Sequence, residues 1–300
     1  MNNTSLENFP GFSKTAIGLW RLNSWDFSSV QLLDFIKQCM ETGISTFDHA
    51  DIYGNYSCEG LFGQAMKGQS ALRSNMQLVS KCGIKLVSDK RPAHSIKTYD
   101  TSRAHIIQSV ENSLQALQTD FLDVLLIHRP DPMMNADETA EAFVQLRDEG
   151  KVLFFGVSNF LPSQFDLLQS RLDFPLVTNQ VEISVMCLDS FYNGILDQCQ
   201  QQRVVPMAWS PLAGGRLFSS YDPQAERLHK VLTEIGNSFG GYSIDQVALA
   251  WLFKHPSGIL PVLGSGNIER IRKAVEAEKI NLSQEQWFSI LVASSGVEIP

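Results

Sequence analysis

The sequence is poor in what several classes of protein require. Its 300 residues carry 24 Lys and Arg against 32 Asp and Glu, a net charge of −8, so the basic excess that drives nucleic-acid binding by counterion release is missing. No nucleic-acid partner is expected. Cysteines number five, at Cys39, Cys58, Cys82, Cys187 and Cys199, scattered and without a CxxC pair, which argues against both a disulfide framework and a zinc site. The start, MNNTSLENFPGFSK, lacks the basic residues and apolar stretch of a secretory signal, and no uncharged apolar run nears the ~20 residues that cross a bilayer. The expectation is a cytoplasmic protein with reduced thiols and no membrane partner. Linkers, low-complexity tracts and charge runs are absent too, so one domain is the economical reading.

What is present is a composition that buries a core, 44% hydrophobic and only 19% charged. Short apolar runs at 15–20, 45–49, 76–81, 122–128, 152–158, 176–181, 204–210 and 260–264 alternate with segments of helical period. Eight such runs in βα alternation are the count of a (β/α)8 TIM barrel, an α/β fold. Helix 102–118 places Ile106, Ile107, Val110, Leu114 and Leu117 at three- and four-residue spacing, and helix 137–149 ends at Gly150. Ser243 with Gln246, and Ser283 with Gln286, read as capping boxes, the second opening a C-terminal helix and tail at 281–300. Residues 1–14 form an N-terminal extension. Two connections, 82–99 and 211–224, are longer than a tight turn, and such loops on a rigid scaffold belong to binding or to disorder.

In such a barrel the groups just after each strand share one mouth. The ends here are polar: Asp48, Asp51 and Tyr53 after the second run, Lys81 after the third, His128 after the fourth, Ser158 and Asn159 after the fifth, and Gln180 after the sixth. Lys81 in LVSKCG would be partly desolvated and would need an anion, which Asp48 could supply. A tyrosine beside that cation is expected to have its pKa lowered from about 10 toward the working range of a general acid. His128, closing VLLIH, could orient a carbonyl oxygen. Asp48, His49 and Asp51 are also metal-ligand types, but adjacent strand residues point to opposite faces, so no metal site is expected. Trp20, Trp25, Phe160 and Phe218 could line a substrate pocket or pack as core and loop anchors, with Trp20 best positioned.

FDHADIYG, LVSKCG and LLIHRPD resemble the three catalytic blocks of the aldo-keto reductases, in the same order, and the DHADIYG form is similar to that of bacterial oxidoreductases in that family. The resemblance extends through GVSNF, TNQVEIS, MAWSPLAGGRL and GSGNIERIRKA, from the first strand to the last helix. It implies an NADPH-dependent enzyme that reduces aldehydes or ketones, with Tyr53, Asp48, Lys81 and His128 catalytic. The cofactor contacts it implies are Gly18, Leu19, Trp20, Ser158, Asn159, Gln180, Trp209, Ser210, Pro211, Leu212, Gly214, Arg216, Gly264, Ser265, Asn267 and Arg270. Gly264 stands where many members place a lysine, and Ala274 where they place an asparagine, so preference for NADPH over NADH rests on Arg270, Ser265 and a helix starting near Asn267. The rivals are an NADPH-binding regulatory subunit with slow turnover and a barrel hydrolase using Asp48 and Asp51. The partner expected is a small carbonyl compound; nothing in the sequence sets an oligomeric state, and a monomer is compatible with it.

Overall fold

The computed structural model describes residue 9 and residues 11–219 and 221–299. Residues 1–8 and 10 of the expected extension, and residue 300 of the expected tail, lie outside the described residues. Eight strands build the main sheet: β1 (Ala16–Gly18), β2 (Thr46–Asp48), β3 (Gln77–Cys82), β6 (Leu122–Ile127), β7 (Val152–Ser158), β8 (Thr178–Glu182), β9 (Val205–Trp209) and β10 (Leu260–Leu263). They close a barrel in the order β1-β10-β9-β8-β7-β6-β3-β2, and the registers seen are parallel. The expected (β/α)8 TIM barrel is the fold. No helix among the described residues is long and apolar enough to cross a membrane.

The long connection after β3 holds a ribbon that the sequence reading missed. β4 (Ile84–Lys85) and β5 (Thr98–Tyr99) pair antiparallel, Ile84 opposite Tyr99, and the Asp100 N–H donates to the Gly83 carbonyl at 3.0 Å. The segment between them therefore leaves and returns at the end of β3. The other long connection contains a 3-10 helix, Ala213–Phe218.

The chain contacts form two compact units, Met1–Asn179 with Gly264–Gly266, and Gln180–Leu263 with Asn267–Pro300. In the first, helices α1 (Ser29–Glu41), α3 (Cys58–Met66), α5 (Arg103–Leu117), α6 (Ala136–Asp148) and α7 (Pro162–Gln169) follow the strands, with two four-residue turns, α2 (Tyr53–Tyr56) and α4 (Ser70–Arg73). On α5 the buried stripe is Ile106, Val110, Leu114 and Leu117, joined by Ser109 and Ser113, whereas Ile107 is only half-buried. The stripe is thus narrower in apolar residues than expected, because two serines share the inner face. α6 starts one residue earlier than expected, since the Asn135 side chain accepts from the N–H groups of Asp137 and Glu138 and fixes the cap there.

The second unit contains α8 (Asp189–Tyr192), α9 (Ile195–Gln202), α10 (Pro223–Ser238), α11 (Ile244–Lys254), α12 (Ile268–Glu276) and α13 (Gln284–Ser295). The capping box expected at Ser283 and Gln286 is complete on α13, and on α11 Gln246 Oε1 accepts from both the backbone N–H and the hydroxyl of Ser243. Arg227 of α10 donates to the carbonyls of Ala293 at 2.9 Å and Ser294 at 3.3 Å, satisfying acceptors that the end of α13 leaves open. Trp251 of α11 and Trp287 of α13 stack at 4.9 Å and 11°, and each indole N–H donates to the other residue's carbonyl at 3.0 Å.

Candidate active site

Register decides which side chains meet. Asp48 of β2 lies opposite Val79 of β3, and Lys81 is two residues further along β3, so Asp48 and Lys81 share a face of the sheet. His49, one step on, points the other way. The Lys81 ammonium is fully buried and has three N–H donors. It contacts Asp48 Oδ1 at 2.7 Å and Oδ2 at 2.8 Å, and it donates to the His49 carbonyl at 2.7 Å and the Tyr53 phenol oxygen at 3.0 Å. Every donor is used. Burial opposes the charge, but Asp48 and Tyr53 outweigh it and hold the ammonium above its ordinary pKa.

Tyr53 follows β2 through a tight turn in which its N–H donates to the Ala50 carbonyl at 3.1 Å. Its ring stands edge-on to His128 at 5.8 Å. The expected lowering of its pKa is not what the structure gives. Burial comes first and raises the phenol above 10.0, against the pull of Lys81, with Asp48 raising it further. A cation alone would lower the phenol, but desolvation is the larger influence and reverses the sign. His128, whose N–H donates to the Cys82 carbonyl at 2.9 Å, is driven well below 6.5 by burial first and then by the charges of Lys81, Arg129 and Lys97. Its Nδ1 is buried without a hydrogen-bond partner.

Behind this group lies a second set of ionisable side chains. His49 is fully buried, edge-on to Phe62 at 4.6 Å, with neither ring nitrogen partnered, and burial followed by Lys81 lowers its pKa to about 3. Glu59 accepts from Ser80 Oγ at 2.6 Å and is raised by burial; Asp51 is raised well above 3.8 by burial and then by Glu59. Asp48 is tied to Lys81, which removes one carboxylate of the hydrolase pair from independent use. Among the described residues no group of three or more His, Cys, Asp and Glu is set to hold a metal ion.

The remaining candidates divide between the units. In the first, Gly18 pairs with Asp48, the Leu19 N–H donates to the Asp48 carbonyl at 2.9 Å, and Trp20 is exposed beneath the Arg21 guanidinium at 5.1 Å. Ser158 ends β7, and the Asn159 side chain donates to its hydroxyl at 2.8 Å. Gly264 is exposed; Ser265 and Gly266 are half-buried, and a Cβ on Gly266 would stand 2.7 Å from the Trp25 ring. In the second unit, Gln180 is buried with its amide 3.9 Å from Met207 Sδ, Trp209 ends β9 half-buried, and Ser210 takes a positive φ. Pro211 is buried, Leu212 half-buried and Gly214 exposed. Arg216 is not a free anchor, since it is paired with Asp222 at 2.9 Å. Asn267 caps α12, the expected helix start, by accepting from the N–H groups of Glu269 and Arg270, and the Arg270 side chain is exposed. Of the suggested pocket aromatics, Phe160 is core and Trp25 packs on Phe27 and Phe35, while Phe218 is exposed. The His49 carbonyl as a third acceptor for Lys81 escaped sequence reading, because every residue has a carbonyl and only register aims this one.

Lys81 and the groups around it stand at one end of a parallel barrel, and comparison with known proteins gives the class. The model of the Aldo/keto reductase family matches residues 14–292, and the chain belongs to that family of oxidoreductases. Oxidoreductase YdhF of Escherichia coli (strain K12) is 51% identical over 291 residues, 97% of this chain and 96% of that protein. The 6-dehydroglucose reductase of Agrobacterium fabrum is 42% identical over 301 residues, 100% of both. The crystal structure of an aldo/keto reductase from Klebsiella pneumoniae in complex with NADP and acetate superposes with a TM-score of 0.75 at 28% identity, covering 92% of this chain and 89% of that one.

Proposed function

We propose that this protein reduces an aldehyde or ketone to an alcohol with Tyr53 as general acid, and the observation that carries the reading is the direction of the hydrogen bond at its phenol. The Tyr53 oxygen accepts from Lys81, so its own hydrogen is left for another acceptor. The phenol held above 10.0 carries that hydrogen at neutral pH. Lys81 stabilises negative charge developing on the carbonyl oxygen, and Asp48 and the His49 carbonyl fix Lys81. His128 is neutral, and because a buried N–H without an acceptor is rarer than a bare nitrogen, its hydrogen sits on Nε2, a second donor for the same oxygen.

The cofactor is NADPH, and the donor set suits it. In the first unit, Ser158 and Asn159 offer a hydroxyl and a carboxamide for the nicotinamide amide. In the second, Gln180 offers another carboxamide, Trp209 a flat aromatic face, the start of α12 with Arg270 a cationic end for phosphate, and Gly214 a backbone beside open space. When bound, NADPH supplies the hydride to the carbonyl carbon. We also take the chain to work as a single domain in the cytoplasm.

The substrate is a small carbonyl compound, and the name of the Agrobacterium relative brings an oxidised hexose into consideration. The test follows NADPH absorbance with aldehydes, α-dicarbonyls, quinones and an oxidised hexose. Tyr53→Phe is expected to lower kcat by about 10²–10⁴-fold while NADPH affinity, read from tryptophan quenching, stays unchanged. Full activity in that variant removes Tyr53 from the role. Tight NADPH binding without turnover of any carbonyl favours the regulatory-subunit reading.

A further inference from the structure

The residues directly after Tyr53 are in a conformation that L-amino acids avoid. Gly54, Asn55 and Tyr56 have φ of 58°, 55° and 61°, one left-handed turn. Left-handed helical backbone is costly for residues with a side chain, and such geometry persists only where surroundings over-determine it. Glycine is required at the first position on two counts, since its φ is positive and a Cβ there would stand 2.6 Å from Cys58 Sγ.

Two bonds within the turn help to hold it: the Ser57 N–H donates to the Tyr53 carbonyl at 3.1 Å and Ser57 Oγ to the Gly54 carbonyl at 2.5 Å. The other contacts come from the excursion between β4 and β5. The Leu86 N–H donates to the Tyr56 phenol oxygen at 2.9 Å, and the Asn55 side-chain amide donates to Asp89 Oδ1 at 3.1 Å. The Arg91 guanidinium sits 4.9 Å from the Tyr56 ring centre, and His94 meets the same ring edge-on at 6.5 Å. His94 Nδ1 lies 2.9 Å from the Leu86 carbonyl, which ties the two ends of the excursion together. The ribbon that carries this segment follows directly on β3 (Gln77–Cys82), the strand that holds Lys81. One loop therefore starts beside the cation and grips the turn that carries the phenol.

We infer that residues 86–94 are a positioning element for Tyr53, with Asn55 and Tyr56 the handles through which they act. The inference rests on the general-acid reading. None of these side chains needs to touch the reacting atoms. They fix where the phenol lies relative to Lys81, and misplacement of about 1 Å can cost up to ~10²-fold in rate.

The test compares wild type, Tyr56→Phe, Asp89→Ala, Asp89→Asn and, as a control, Tyr53→Phe in NADPH-linked carbonyl reduction. Tyr56→Phe keeps the ring under Arg91 but takes away the acceptor for the Leu86 N–H. It is expected to lower kcat about 10-fold or more with KM and NADPH affinity nearly unchanged. The alkaline limb of kcat should move to higher pH, because a phenol less firmly held loses Lys81, which with Arg129 opposes the raising effects of burial and Asp48. Asp89→Ala should lower kcat less, and Asp89→Asn, which retains an Oδ1 acceptor for Asn55, should restore it.

Wild-type kcat and an unshifted limb in Tyr56→Phe and Asp89→Ala overturn the inference. So does a fall confined to KM, or a loss of kcat that tracks a lower Tm with the limb unmoved. Should Tyr56→Phe fail to fold, the Asp89 pair decides alone. Full activity in Tyr53→Phe removes the general-acid reading and this inference with it, whereas a dead Tyr53→Phe beside an intact Tyr56→Phe removes this inference only.

Discussion

The two compact units bury different kinds of polarity. In the first, the buried set includes Asp48, His49, Glu59, Lys81 and His128; in the second, it consists of Gln180, Ser184, Ser190, Gln198, Gln246 and Ser294. Every buried acid, lysine or histidine among the described residues is thus in the first unit. A charge in a desolvated site interacts strongly with its neighbours and is costly to leave unpaired, while a buried amide or hydroxyl needs only a hydrogen bond. The first unit can therefore shift proton affinities and respond to pH. The second buries no acid, lysine or histidine among the described residues, and its shifts on such groups fall on half-buried side chains, as with His255, lowered by burial, and Asp222, lowered by Arg216.

The harshest way to break this contrast is to remove the central cation. Lys81→Met takes from the buried Asp48 carboxylate the cation it pairs with and should destabilise the protein by about 3–5 kcal/mol, besides abolishing carbonyl reduction; urea melts with activity assays on the surviving fraction will show it. A loss under about 1 kcal/mol would mean the network behaves like a surface pair. The matching change in the second unit is Trp287→Phe, which gives up the indole N–H bond and part of the stacking. A cost of about 2 kcal/mol follows from one hydrogen bond and one aromatic pair, with kcat unchanged at temperatures where the variant is folded. A fall in kcat there would erase the division.

The most gradual effect, spread over pH rather than read at one condition, sharpens the contrast. His49 titrates at 6.5 unfolded and at about 3 folded. As pH falls below 6.5 the unfolded chain takes up a proton that the folded one refuses, so stability is lost on acidification, by up to about 1.4 kcal/mol per pH unit. Asp51, raised when folded, acts in the opposite sense, destabilising the fold as pH rises above 3.8. Comparing slopes of unfolding free energy between wild type and His49→Thr over pH 6 to 4 isolates the histidine: the variant's slope should be flatter by about one proton. Equal slopes would show that His49 charges freely when folded.

Much of this arrangement was legible in the residues. Several barrel strands, β6 (Leu122–Ile127) the plainest, are apolar runs because parallel strands are covered on both faces, though β8 (Thr178–Glu182) is mostly polar, and the boxes at Ser243 and Ser283 announce their helices. Asp48, Tyr53, Lys81 and His128 could be grouped because barrel connectivity brings strand ends together. Other features depend on distances that no linear pattern encodes. β4 and β5 are two residues each, too short for any period. The left-handed turn contains a Gly-Asn pair, a turn signal, but nothing local requires Tyr56 to join it. The direction of Tyr53's shift is not legible in the sequence, because the balance between a nearby cation and burial is a property of the folded surroundings.

The crossed bonds between Trp251 and Trp287 bear on how this sequence can drift. Each indole is at once donor and neighbour to the other's acceptor, so replacing one leaves a carbonyl on its partner short of a donor as well as breaking the stack. Neither substitution is neutral by itself, and the second to occur meets a site already altered by the first. The two positions, 36 residues apart in the chain, form an epistatic pair, and lineages that abandon the arrangement must pass through a less stable intermediate or change both together.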